Sequence, residues 1–273
     1  KRFPHLRILR RRRSQDDYRS GKKAALSMAI DQARHEKLVF TDADCRPCSP
    51  YWLLYMGNAF RTHSLVLGFG RLSGKGSLGQ LVSFETIQTA LHYMAAALKG
   101  QPYMGVGRNM GYSRDLFATT DGHARHADLP SGDDDLFVLA ASRHASTTIL
   151  THPHSFTESP APQSWKYWWR QKQRHYSTAW RYPRGIASAL LGEGILQGLF
   201  YILLPFALLS SFSWLVLSLV GIRLLLEFRM VSWARHLQGS PKFWWTFPLW
   251  EFIWVIGTFA IHMVQMFTRP RQW

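Results

Sequence analysis

Acidic side chains are scarce in this chain: 17 Asp and Glu stand against 33 Lys and Arg, giving a formal net charge of +16. So basic a balance suits nucleic acid, anionic membrane surfaces or phosphorylated substrates. The run Arg10-Arg11-Arg12-Arg13 resembles a nucleic-acid patch. No recognition motif of a nucleic-acid-binding fold accompanies it, so no nucleic-acid partner is expected. Cysteine is nearly absent: Cys45 and Cys48 are the only two, spaced C-x-x-C. A zinc site needs two further ligands at suitable spacing, and a thioredoxin-like redox pair should open a helix. Pro47 and Pro50 mark a loop instead, so reduced cytosolic thiols are expected. The 12 histidines include no H-E-x-x-H pair. No leading signal segment is found. The chain opens on Lys1, inside a stretch (Leu6 to Leu9) that reads as a strand, so an N-terminal portion is expected to be missing.

What the chain does contain begins with Thr41-Asp42-Ala43-Asp44, directly after the apolar Leu38-Val39-Phe40. A short buried strand ending in two carboxylates places them at the carboxyl edge of a sheet, where open α/β sheets bind ligands. Hard oxygen donors there suit Mg²⁺ or Mn²⁺, and through the ion a diphosphate. A solvated Asp-rich turn fits the same four residues, and the remaining motifs have to decide.

The first 160 residues alternate strand-like and helix-like patches, which predicts an α/β layered sheet. Helices are expected over Lys23 to Arg34, with Ala24, Leu26, Ala29 and Ile30 inward, over Tyr51 to Thr62 and over Leu81 to Leu98. Lys37 to Thr41 and Leu65 to Phe69 read as strands, and Gly74 to Gly79 as a flexible loop. Residues 161–185 then turn aromatic and basic. Trp165, Trp168, Trp169 and Trp180 lie among Lys166, Arg170, Lys172, Arg174 and Arg181 over Trp165 to Tyr182, the composition of a helix in a membrane interface.

Residues 186–273 form an apolar region. No residue from Ile195 to Ile222 is charged, a run that would cover roughly 42 Å as one helix against a hydrocarbon core of about 30 Å. Ser210-Ser211-Phe212-Ser213 near its midpoint favours two helices with a turn there. Phe247 to Phe267 is a further candidate span, which makes two or three in all. Arg223, Arg229, Arg235 and Lys242 place the connecting stretch on the cytoplasmic side, which again favours a hairpin. Arg269 and Arg271 would then lie outside, unless the last segment is re-entrant or interfacial.

Five motifs follow in order: Gly21-Lys22-Lys23, Thr41 to Asp44, Gly105-Val106-Gly107-Arg108-Asn109, Ser131-Gly132-Asp133-Asp134-Asp135-Leu136, and Gln171-Lys172-Gln173-Arg174-His175. The ordered set, closed by apolar spans, resembles the membrane-bound family-2 glycosyltransferases, the inverting group that includes cellulose, chitin and hyaluronan synthases. The resemblance implies a GT-A mixed sheet with flanking helices and a multi-pass protein of the inner membrane with a cytoplasmic catalytic domain. It implies a UDP- or GDP-sugar donor and a lipid or glycan acceptor, as in making a surface glycan.

By the same resemblance Asp42 and Asp44 hold the metal and nucleotide-sugar, while Lys22 or Lys23, at a helix start that attracts anions, holds the diphosphate. Asp133 is the implied general base, with Asp134 as its alternative and Asp135 supporting the site; Gly132 stands where relatives carry glutamate. Three adjacent carboxylates exceed what a helix cap needs, and their repulsion raises at least one pKa. Gly107 and Asn109 would approach the sugar or acceptor, although a tight strand end explains the glycines equally well. Gln171 and Arg174 match the family's Q-x-x-R-W element, where Arg contacts diphosphate. His175 replaces its tryptophan, which weakens the case for a long processive glucan and tilts the acceptor toward a lipid.

Overall fold

The computed structural model describes residues 5–11, 21–127, 129, 131–176, 178, 181–238 and 246–267. Arg12, Arg13, Trp180, Lys242, Arg269 and Arg271 lie outside them. In chain order the elements are α1 (Gly21–Asp31), β1 (Lys37–Phe40), β2 (Arg46–Pro47), α2 (Trp52–Ala59), β3 (Leu65–Gly68), β4 (Gly70–Ser73) and α3 (Gly76–Leu98). Then come β5 (Met110–Ser113), α4 (Arg114–Thr119), α5 (Asp135–Ala141), β6 (Thr147–Leu150) and β7 (Thr157–Pro160). Four more helices close the chain: α6 (Trp165–Tyr176), α7 (Arg184–Leu208), α8 (Ser213–Gln238) and α9 (Phe247–Phe267).

One sheet has the order β1-β5-β3-β6. β3 and β6 are parallel, and β5 runs antiparallel to both β1 and β3, so the sheet is mixed. β3 is buried on both faces, as its continuous apolar run requires. Successive residues on a strand face opposite ways. Val66 accordingly meets Trp52, Met56 and Phe60 of the α2 side, whereas Leu65 and Leu67 join the core with α3 and α5. A smaller sheet, β2-β7-β4, completes an α/β architecture of mixed sheets with flanking helices.

The register settles what lies at the important rim. Phe40 at the end of β1 pairs with Met110 at the start of β5, and Gly68 at the end of β3 pairs with Leu150 at the end of β6. Because β5 runs backwards, residues 105–109 enter the sheet at the same edge from which Asp42 and Asp44 leave it.

Several expectations need correction. Residues 6–9 form no strand; a strand needs a partner for its backbone groups, and Leu6 and Ile8 are exposed. On α1 the inward residues are Lys23 and Ile30, seven apart on one helix face, while Ala29 is exposed. The segment 74–79 is not a loop throughout: α3 starts at Gly76, and the Cα of Gly79 sits where a Cβ on Gly74 would project, 2.9 Å away. Glycine here allows close backbone packing. α6 ends at Tyr176, short of Tyr182.

The turn in the apolar region is present, since α7 stops at Leu208 and α8 starts at Ser213. By length and composition α7 and the Phe247–Gln265 part of α9 could cross a membrane. α8 is not among these candidates; it carries Arg223, Glu227 and Arg229. Tyr201 Oη of α7 donates to Glu251 Oε2 of α9 (2.6 Å), and Arg223 of α8 donates to Glu251 Oε1 and Glu227 Oε1, both at 2.7 Å. This knot of polar groups ties the three helices together. α9 also lies against the α/β layer: Trp254 packs edge-on against Phe84 of α3, and Tyr176 of α6 stacks on His262.

Candidate functional site

Four segments distant in sequence meet at the carboxyl rim of β1. Lys22, on the first turn of α1, reaches across it. Its Nζ lies 3.2 Å from Asp42 Oδ1 and 2.7 Å from Asp133 Oδ2, so one ammonium bridges the first acidic pair and the later acidic triplet. Exposure falls along this array: the Lys22 side chain is 56% exposed and that of Asp133 only 12%.

Lys23 has a different task from the expected substrate contact. It is buried, and its Nζ donates to the carbonyls of His126 (2.6 Å), Leu129 (3.0 Å) and Ser131 (2.6 Å). A buried ammonium needs such partners. Through them Lys23 fastens α1 to the loop that leads into the acidic triplet, so the two lysines divide anchoring and cleft duties. A signal for this was present in the sequence, because Lys23 lies seven residues from Ile30 on one helix face.

The triplet itself is divided three ways. Gly132, at φ +95°, turns the chain into it, a conformation that glycine tolerates. Asp133 points to Lys22. Asp134 caps α5: its Oδ1 accepts from Asp135 N (2.9 Å) and its Oδ2 from Gly107 N (3.1 Å). Asp135 Oδ1 accepts from Leu136 N (2.8 Å), and Oδ2 accepts from Thr178 Oγ1 (2.6 Å) and Tyr182 Oη (2.8 Å). Asp135 is therefore a buried strut to the segment after α6, as a supporting role requires.

The electrostatics follow from these contacts. Burial works to raise the Asp133 pKa, but the adjacent Lys22 charge and hydrogen bond outweigh it and hold the carboxyl below the usual range. Asp134 has no such cation in contact. Burial, then Asp133 and Asp135, push it up to about 7. Burial opposes the charge on Lys22, yet Asp133 and Asp42 raise its pKa above that of a free lysine.

Of the glycine-rich segment, Gly107 reaches the site through its N–H, whereas Asn109 does not. Asn109 is fully buried, donating to Phe69 O (2.7 Å) and Ser155 O (2.8 Å) and accepting from Trp52 Nε1 (3.0 Å). All its hydrogen-bonding directions hold the fold, which replaces the expected substrate contact. Gly111 is a matter of packing, since a Cβ there would meet the Phe60 ring and Leu38 O.

Gln171, Arg174 and His175 lie on α6, Arg174 and His175 with exposed side chains. The placement of α6 depends on a contact that the motif reading missed. Glu85 of α3, 3% exposed, accepts from Trp168 Nε1 and Lys172 Nζ, each at 2.9 Å.

Asp42 and Asp44 offer carboxylate oxygens within 4.8 Å of each other and of the Cys45 thiol. Two hard oxygens so close fit a divalent cation. No family model matches the chain, and the comparison with curated proteins yields no match.

Proposed function

We propose that this chain is an inverting, metal-dependent glycosyltransferase that moves a sugar from a UDP- or GDP-sugar to a hydroxyl of a lipid or growing glycan. One observation carries the reading: Lys22 touches both Asp42 and Asp133, so the residues suited to a diphosphate and those suited to a proton lie side by side. Asp42 and Asp44 would hold Mg²⁺ or Mn²⁺, which when bound offsets the charge of the departing diphosphate. Lys22, whose side chain is partly exposed, would turn from Asp133 to that diphosphate, and Arg174 would supply a second cation.

Asp133 takes the proton of the acceptor hydroxyl as the oxygen attacks the anomeric carbon. The bond to the diphosphate breaks from the opposite side, and the diphosphate leaves with the electron pair. Asp134 is less suited to this role because both its oxygens already accept backbone N–H groups. α6, α7 and α9 would seat the enzyme at the inner membrane as a multi-pass protein with the α/β layer in the cytoplasm. His175 in place of tryptophan favours a single transfer to a lipid over processive synthesis.

The test uses the full chain in nanodiscs of native lipid with Mn²⁺ and labelled UDP- or GDP-sugars. Transfer or donor hydrolysis is expected, and Asp133→Asn should lower it by about 10²–10⁴-fold while nucleoside diphosphate affinity stays within about threefold. Absence of turnover with every donor would favour an inactive membrane-anchored scaffold, and a polymeric product would favour a processive synthase.

A further inference from the structure

We infer that Arg108 is a further phosphate-binding residue beside the acidic array, and that the free ends of its guanidinium take a phosphate of the nucleotide or of a lipid headgroup. Which substrate brings that phosphate follows from the transferase reading; the contact itself does not depend on it.

The turn that carries Arg108 is built into the array. Asn109 N–H donates to Val106 O (2.9 Å), closing a turn with Gly107 and Arg108 at its centre. Gly107 N–H donates to Asp134 Oδ2 (3.1 Å), and a Cβ on Gly107 would stand 3.9 Å from Lys22 Nζ. Thr157 Oγ1 donates to Arg108 O (2.9 Å) and pins the turn from the other side. Arg108 therefore comes one residue after a backbone point fixed beside Lys22 and the triplet.

Its side chain lies in a prepared place. Arg108 Nε donates to Gly70 O (3.0 Å), and a Cβ on Gly70 would stand 2.5 Å from that Nε and 2.6 Å from Cγ. Glycine at position 70 leaves the room that the arginine stem occupies. The bond to Gly70 uses only the Nε–H of the fork. Among the described residues the terminal amino groups of Arg108 meet no acceptor and form no ion pair, although the residue is partly buried.

Neighbouring lysines differ in this respect. Lys22 is shared by Asp42 and Asp133, and Lys172 is held by Glu85. A cation drawn partly out of water is stabilised by an opposite charge close by. A planar fork matches two oxygens of one phosphate, which a neutral sugar does not offer. The Arg108 charge bears on Lys172 of α6, so the fork lies between the acidic array and the aromatic, basic helix. A donor diphosphate at Lys22 and a phospholipid headgroup at α6 are the two sources this position admits.

Binding to the full chain in nanodiscs tests the contact without turnover. One arm titrates UDP and GDP with Mn²⁺ in phosphatidylcholine nanodiscs. The other measures labelled phosphatidylglycerol against phosphatidylcholine, without nucleotide. In Arg108→Gln, at least one of these affinities should fall about tenfold or more. Arg108→Lys, which keeps the charge and loses the fork, should recover only part of it. A loss confined to the nucleotide arm assigns the diphosphate, and a loss confined to the lipid arm assigns an anionic lipid acceptor. Gly70→Ala leaves Arg108 in the chain but displaces its stem, so it should reproduce the loss even if Arg108→Gln folds poorly. Affinities within about threefold of wild type in both arms overturn the inference. Sugar transfer with no Arg108-dependent binding would sink Arg108 and leave the transferase reading. Arg108-dependent phosphate binding in a protein that turns over no donor would do the reverse.

Discussion

Replacing Glu85 with glutamine should weaken this protein more than any surface change, and a second substitution should undo most of the damage. Glu85 is 3% exposed and Lys172 15%, and their contact at 2.9 Å is the ion pair that seats α6 on α3. Burial opposes the charge on Lys172, yet Glu85 raises its pKa, so the ammonium is retained. Removing one partner of a buried pair costs about 3–5 kcal/mol because the other charge is left uncompensated. The small exposure of Lys172 and the carbonyl of the new glutamine, which still accepts from Trp168, place the expected loss near the lower end, about 3 kcal/mol.

The pair is itself imperfect, since Glu85 Oε1 is buried and meets no donor among the described residues. Ion pairs of this kind are often replaceable by neutral groups at little cost. Glu85→Gln combined with Lys172→Met should therefore return to within about 1 kcal/mol of wild type. Thermal unfolding of the full chain in detergent reads this as a drop of about 6–12 °C for the single variant, at roughly 2–4 °C per kcal/mol. Recovery of most of that drop is expected in the double variant. A single variant within about 2 °C of wild type, or a double variant no better than the single, would refute the reasoning.

Other outcomes follow from the acidic triplet. Asp134 is raised to about 7, so between pH 4 and pH 7 the folded state holds a proton that an unfolded chain would release. Stability should fall as pH rises through that window, and Asp134→Asn should flatten the slope in melting curves collected from pH 5 to pH 8. Asp133 is depressed, so its contribution is present above about pH 4 and is lost only below it. Gly132→Ala would place a Cβ 2.7 Å from Leu136 Cδ1 at a positive φ. A loss of about 2 kcal/mol is expected by chemical denaturation, with nucleotide binding weakened as Asp133 shifts.

Much of the α/β frame was legible because its signals are local. The uninterrupted apolar run Leu65-Val66-Leu67 between polar turns suits a buried strand in a layered fold, and the serines at 210–213 mark the break between α7 and α8. The cleft was legible only as residue types. Asp42, Asp133 and Lys22 were each nameable, but their meeting depends on β5 running against its neighbours and on Lys23 fastening the acidic loop, both long-range facts. Asn109 misled because a polar residue beside glycines suggests a ligand contact, while its real partners are backbone carbonyls 40 and 46 positions away.

The grip of Thr178 and Tyr182 on Asp135 has a practical side. Cutting the protein after β7 at Pro160, as one would to separate the α/β layer from the apolar helices, would strip the buried Asp135 carboxylate of both hydroxyl donors. The acidic loop would then lose its outer fastening next to Asp133. The α/β layer and the segment after α6 are mechanically one piece, and any boundary that keeps Asp135 hydrogen-bonded lies beyond Tyr182.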